Sequence, residues 1–142
     1  MPDWVNVIAL TPDARMVLVR HWRQAAQAWV LEPPGGLIDP GEDACAAAAR
    51  ELREETGYAA GRYRVVATPW SDPSRNRNRL HVVLAEGALP VTEPRLEAGE
   101  DLRAEVMPVT EVLAGLQHGL LAHGAQLGRV MLALAASGHL TL

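Results

Sequence analysis

Glu51, Glu54 and Glu55 stand at i, i+3 and i+4, the spacing that gathers side chains on one face of a helix. Three like charges placed this way repel one another. A divalent cation with oxygen ligands is the economical remedy. Arg50 lies one turn before Glu54 and can pair with it. Upstream, Glu32-Pro33-Pro34-Gly35-Gly36 joins two stiff residues to two that let a backbone turn tightly or approach a ligand. A backbone carbonyl exposed there would be one more oxygen ligand. A Glu/Arg-rich helix is ordinarily a solvated face, and only a pattern that extends well beyond the three glutamates distinguishes a metal site from it.

The element that must position these carboxylates is legible in its own letters. Asp43 to Thr56 contains no Pro or Gly, and Cys45 to Ala49 is strong helix material. Asp39, Glu42 and Asp43 put acceptors and negative charge where a helix starts. Gly57 is suited to end it in the left-handed conformation. Cys45, Ala48, Ala49 and Leu52 form one narrow apolar stripe, flanked by Glu51 and Glu55, with Glu54 further round. The carboxylates are therefore expected at the rim of a core, half shielded from water.

The full pattern is Gly36, five residues, Glu42, seven residues, Arg50-Glu51-Leu52, one residue, Glu54-Glu55, one residue, Gly57. It resembles the box of the Nudix family, G-x5-E-x7-R-E-U-x-E-E-x-G-U, where U is a bulky aliphatic residue. Only the last position departs, carrying Tyr58. Seven fixed positions would match by chance in roughly one sequence in a million of this length. The resemblance implies a Nudix α/β/α sandwich, with a mixed sheet between helices, and a hydrolase for a nucleoside diphosphate linked to another moiety. It implies Glu51 and Glu55 as principal metal ligands, Glu54 sharing a second metal, and the Gly35 carbonyl as a further ligand. Arg50 would orient the glutamates, and Glu42 would brace the loop–helix junction. The implied cofactor is Mg²⁺, with Mn²⁺ as the alternative.

Around the box, Trp4–Leu10 reads as a strand, Thr11–Ala14 as a turn and Met16–Arg20 as the return strand of a hairpin. His21-Trp22-Arg23-Gln24 reads as a polar-aromatic link, and Trp29–Glu32 as a short strand into the box. Val19-Arg20-His21-Trp22-Arg23 is similar to the segment before the box in the ADP-ribose pyrophosphatase branch of the family. Arg20 or Arg23 is then a candidate phosphate contact, and Trp22 or Trp29 a candidate base platform. Glu32 joins them as a candidate substrate contact.

Beyond the box, Tyr63–Trp70 and Leu80–Glu86 read as strands joined by the polar loop SDPSRNRNR, Ser71–Arg79. Pro73 lies 16 residues past Gly57, where that branch carries a proline in a segment resembling S-P-G-x-S-N-E-x-L-H. Leu80 and His81 keep the frame, Ser74 replaces the glycine, and the branch's glutamate falls on Asn78. That glutamate helps hold the far end of the substrate in the family. Here Arg75, Arg77 and Arg79 are candidates to grip phosphate or another acidic group instead. Leu89–Asp101 reads as a mobile loop, Leu102–Met107 as a strand, and Val109–Gln117 and Gln126–Ala136 as helices. By the same resemblance Glu100 is the expected general base, with Glu97 as the alternate, or Glu51 as in other branches. His118, His123 and His139 show no metal spacing.

At 142 residues the sequence suits one domain, 1–142, with a hydrophobic fraction of 49%. A net charge of −4 argues against bulk nucleic-acid binding. No run of 18 apolar residues suggests a membrane span, and the first residues do not read as a signal peptide. The single cysteine, Cys45, fits a reducing cytoplasm, and its place on the apolar stripe suggests an inert thiol. Family analogy suggests a homodimer. The expected reaction is Mg²⁺-dependent hydrolysis of ADP-ribose or a nucleotide sugar. The rivals are a Nudix hydrolase of nucleoside triphosphates or dinucleoside polyphosphates and a non-catalytic Nudix-fold ligand sensor or interaction module.

Overall fold

A computed structural model describes residues Met1–Leu142. Strand β1 (Trp4–Leu10) has every residue after Trp4 buried, as expected of a strand covered on both faces. Its alternation assigns the two sides. Val5, Val7 and Ala9 meet the helix α1 (Ala44–Thr56) through Ala47, Ala48 and Leu52. Ile8 and Leu10 join a larger cluster with Val109, Val112, Val130 and Leu134 of α2 (Val109–Gly115) and α3 (Gly124–Ala136). The result is a mixed sheet between helices, the layering that the sequence predicts.

β1 forms a hairpin with β2 (Arg15–Arg23), but the register between them covers only Ala9↔Val17 and Leu10↔Met16. The strands then part. The freed edge of β1 pairs with β4 (Gly35–Leu37), and that of β2 pairs with β3 (Ala28–Glu32). The Pro33-Pro34 link joins these two strands, and the Pro34 carbonyl accepts from Val7 N–H at 2.8 Å. The other edge of β1 runs parallel to β7 (Leu80–Glu86), which in turn pairs with β6 (Arg62–Ala67). The other edge of β2 pairs with β9 (Leu102–Pro108).

Several elements differ from the sequence expectation. His21–Arg23 is not a link but part of β2, because β3 holds the segment extended to Arg23 and β9 pairs with the strand as far as His21. The strand expected to reach Trp70 ends at Ala67 after a register shift, leaving Trp70 one isolated bridge to Arg79. The helix expected to Gln117 ends at Gly115, continues as a single 3-10 turn, and stops at Gly119 with φ 77°. The segment expected as a mobile loop is tied down. Its Leu89–Pro90 strand β8 pairs with β5 (Tyr58–Ala59). Val91 and Thr92 N–H donate to the Gly57 carbonyl, and Arg95 N–H donates to the Glu54 carbonyl at 2.7 Å.

Candidate active site

A cleft of about 960 Å³ opens where β1 and β2 part. Its walls come from β2, β3, β4, the exposed flank of α1, the loop holding Glu97 and Glu100, and the start of α3.

The helix that carries the carboxylates is fixed at both ends. Asp43 accepts from Ala46 N–H at 2.8 Å as N-cap, and Gly57 closes the helix with φ 76°. The buried stripe is Ala47, Ala48 and Leu52, rather than Cys45, Ala48, Ala49 and Leu52. Cys45 is half-buried, and burial pushes its thiol pKa up. The stripe continues from Ala48 through Leu52 to Glu55, so Glu55 stands on the core face itself and not at its rim.

Glu55 is only 6% exposed. Its hydrogen bond is from the Gly35 N–H, 3.2 Å to Oε2. Burial first, then the charge of Glu51, then those of Glu100 and Glu32, push its pKa up to about 8, against the lowering by Gly35. Glu51 is also raised, by burial above all and by the charges of Glu54 and Glu100, despite its contact with Arg50. Glu54 is the more exposed neighbour.

Arg50 ties this group to the loop before it. Its Nε and Nη2 donate to the two Glu42 carboxylate oxygens at 2.9 and 3.0 Å, and Nη2 also donates to the Leu37 carbonyl at 2.9 Å. Nη1 donates to Glu51 at 2.8 Å and reaches Glu54 at 3.4 Å. Glu42 also accepts from Asp39 N–H at 3.0 Å, and its carboxyl is held below the usual range chiefly by Arg50. Glu42 thus joins the Asp39 backbone to Arg50, and Arg50 reaches on to Glu51 and Glu54.

The chemistry of this donor set fits a divalent cation. The donors are oxygens, two of them on shielded carboxylates whose charge is poorly compensated. A Cβ at Gly36 would run into the Glu51 carboxylate, so a larger residue there would displace that side chain from its present position. No three His, Cys, Asp or Glu side chains stand close enough together to hold an ion as they lie. Arg50 engages Glu51 and Glu54, while Glu55 turns to Gly35. Gly35 makes this contact with its N–H, a donor, whereas the expected ligand is its carbonyl.

Glu100 lies in the same cleft, with Glu97 beside it. Its carboxylate accepts from Glu97 N–H at 2.8 Å. The hydrogen bonds from Val91, Thr92 and Arg95 seat this loop on the C-terminal end of α1. That brings Glu100 near enough for its charge to act on Glu51 and Glu55.

The expected substrate contacts divide. Arg23 and Glu32 line the cleft as an ion pair, 2.6 Å apart, with Glu32 2% exposed. His21 lies 3.7 Å from Glu32. Its pKa is lowered by burial first and then by the charge of Arg23, against the raising influence of Glu32.

Trp22 and Trp29 do not line the cleft. Side chains alternate across a strand, so a β2 that turns His21 and Arg23 inward turns Trp22 away. Its cross-strand partner Trp29 goes with it, the rings 5.8 Å apart edge to face, and Arg103 lies 4.7 Å over Trp29. Arg20 likewise faces away and pairs with Glu105 at 2.7 Å.

Arg75, Arg77 and Arg79 also lie outside the cleft, which Ser71 alone of this loop lines. Asp72 folds the loop on itself by accepting from Ser74 N–H at 3.2 Å. Asp3 accepts from Arg79 N–H at 2.7 Å, and the Arg79 guanidinium stacks 3.5 Å over Trp70. Asn78 is buried and donates to the Pro2 carbonyl at 3.3 Å.

Sequence reasoning missed one wall. Asn6, Gln126 and Arg129 line the cleft from β1 and α3. The signal was present: Arg129 is the one charged residue of α3, and Asn6 is the one polar residue within β1.

A family profile described as NUDIX domain matches residues 2–127. The chain is 36% identical over 109 residues to an ADP-ribose pyrophosphatase of Bacillus subtilis, covering 77% of this chain and 58% of that protein. It is 27% identical over 129 residues to an ADP-ribose pyrophosphatase of Mycobacterium tuberculosis, covering 89% of this chain and 62% of that one. The chain thus spans about three fifths of the length of these curated relatives. A crystal structure of an ADP compounds hydrolase superposes with a TM-score of 0.84 at 23% identity, covering 97% of this chain and 75% of that one. That likeness concerns the fold.

Proposed function

The chain belongs to the Nudix family, and on that premise we propose that it hydrolyses the pyrophosphate bond of a nucleoside diphosphate joined to another moiety. ADP-ribose or a nucleotide sugar is the substrate, and the products are a nucleoside monophosphate and a sugar phosphate. The observation that carries this reading is the meeting of Glu51, Glu54, Glu55 and Glu100 in one cleft, two of them with raised pKa. The names of the relatives in Bacillus subtilis and Mycobacterium tuberculosis support the choice of substrate.

Glu51, Glu54 and Glu55 would hold Mg²⁺, or Mn²⁺ in its place, with Gly35 beside them. When bound, the cation supplies neutralisation of phosphate charge and acidification of water. Every other part falls to the chain's own residues. Arg50 keeps Glu51 and Glu54 in place through its contacts with Glu42 and Leu37. The close approach at Gly36 keeps the loop tight against Glu51. Glu100 receives the proton of the attacking water on its carboxylate, because of the two loop acids in the cleft, Glu97 and Glu100, it is the one whose charge reaches Glu51 and Glu55. The attack is in line with the departing phosphate. Arg23, held by Glu32, stands where a guanidinium can meet phosphate oxygens. Residues 1–142 act as one Nudix domain.

A second reading, a hydrolase of nucleoside triphosphates or dinucleoside polyphosphates, draws on one observation. Asn78, where the branch's terminal-moiety glutamate falls, is buried away from the cleft. A panel of nucleoside diphosphate derivatives and triphosphates, with Mg²⁺ and with chelator, separates the readings by product. Two monophosphates from a sugar nucleotide support the first, and inorganic pyrophosphate from a triphosphate supports the second. No chelator-sensitive hydrolysis anywhere in the panel would overturn both.

A further inference from the structure

Three guanidinium groups line the cleft, and two are matched by carboxylates: Arg50 by Glu42 and Glu51, and Arg23 by Glu32. Arg129 is not. It makes no ion pair, and its hydrogen bond within the protein is from Nη1 to Asn6 Oδ1, at 2.7 Å. Its remaining N–H groups are neither partnered nor sealed from solvent, so they open on the cleft. Burial lowers its pKa, with no countering charge to raise it. A guanidinium that has lost part of its hydration and found no anion is rare among buried charges, which are normally paired. One turn away on the same wall, Gln126 is 5% exposed and its Oε1 has no partner.

Asn6 fixes where this unpaired cation sits. Asn6 pairs with Gly35 across β1 and β4, and the Gly35 N–H donates to Glu55. Arg129 is therefore linked to the carboxylate group through one strand-to-strand step and two hydrogen bonds. One cleft is thus lined by the shielded carboxylates of α1 and, at a separate place on its wall, by a cation without an acidic partner. A planar, fixed guanidinium with free N–H groups suits the paired oxygens of a phosphate.

We infer that Arg129, steadied by Asn6, is a substrate-binding residue that takes phosphate oxygens of the pyrophosphate group. The inference rests on the reading of the cleft as a phosphoanhydride site. Arg129 binds and orients the pyrophosphate group, so its loss should appear in affinity before it appears in turnover.

The test scores binding without turnover. Inorganic pyrophosphate is titrated calorimetrically into the Mg²⁺-supplemented protein as wild type, Arg129→Lys and Arg129→Met, and each thermal midpoint is recorded. Met keeps much of the stem while removing the charge. The expected result is binding to wild type, at least tenfold weaker binding to Arg129→Met, and an intermediate loss for Arg129→Lys, which keeps charge without the fork. The thermal midpoints show that each variant is folded when its affinity is read, since Arg129→Met also leaves the buried Asn6 Oδ1 without its donor. Equal affinity of wild type and Arg129→Met, no binding to wild type, or a lowered midpoint with unchanged affinity would each overturn the assignment. A protein that binds pyrophosphate through Arg129 but hydrolyses nothing in the nucleotide panel would keep this inference and lose the hydrolase reading. Hydrolysis with an unchanged KM in Arg129→Met would do the reverse.

Discussion

The box helix and the Ser71–Arg79 loop carry comparable numbers of charged residues, yet only the helix delivers them to the cleft. On α1, spacing fixes direction, so three glutamates at i, i+3 and i+4 must share a side and the capped helix holds them there. In the loop, direction is decided by whatever local bonds the chain can make. Asp72 turns the loop back, Trp70 captures Arg79, and Asp3 anchors its backbone. A charged residue is therefore a better guide to function when a regular element aims it than when it sits in a polar run.

The largest effect that sharpens this contrast is expected at Glu51 and Glu55. Either Glu→Gln change should lower turnover on the order of 10³-fold while the fold survives, because it removes an anionic oxygen without changing shape. Steady-state kinetics with circular dichroism checks both halves. Near-normal turnover in Glu55→Gln would break the metal assignment.

Arg50→Ala should come next. It strips Glu42, Glu51 and Glu54 of their shared partner, so we expect a loss of about 2 kcal/mol in denaturant unfolding, together with a large fall in kcat. Unchanged stability would mean that the network contributes nothing net.

The pH dependence of the chelated protein is a third test. The folded pKa of Glu55, about 8, lies above its ordinary value of 4.5. Between those values the folded state binds more protons than the unfolded one, so stability falls as pH rises. The slope approaches about 1.4 kcal/mol per pH unit at most. Thermal midpoints in chelator should drop from pH 5 to pH 8, and Glu55→Gln should flatten that drop. A midpoint that rises over this range in wild type would contradict the burial argument.

The smallest effect is expected in the loop. Replacing Arg75 and Arg77 together by Ala should change kcat/KM by less than about threefold, since neither lines the cleft and surface charges contribute little. A tenfold loss would erase the contrast drawn above.

The same physics explains what the sequence made legible. The strands β1 and β7 and the helix α1 are long, periodic and capped, and their bounds lie close to those expected. The core face of α1 lies a fraction of a turn from the one its letters suggest, because its alanines are too alike to say which of them faces the sheet, and Glu55 is therefore buried rather than at a rim. The three-residue strand β4 and the two-residue strands β5 and β8 are too short for any period to register. Trp22 and Trp29 looked like a base platform because aromatic residues near a box invite that reading. Their side was set by the register of β2 with β3, which the sequence does not display. Arg129 and Asn6 are 123 positions apart, and only the packing of α3 on the sheet reveals them as a pair.

The most direct measurement is the product analysis of ADP-ribose incubated with wild type and Glu55→Gln side by side, with Mg²⁺ and with chelator. Wild type with Mg²⁺ is expected to release AMP and ribose 5-phosphate, and next to none should appear with chelator or from Glu55→Gln. Hydrolysis indifferent to chelator, or equal in the two proteins, would contradict the claim that the carboxylates of α1 form the reactive centre.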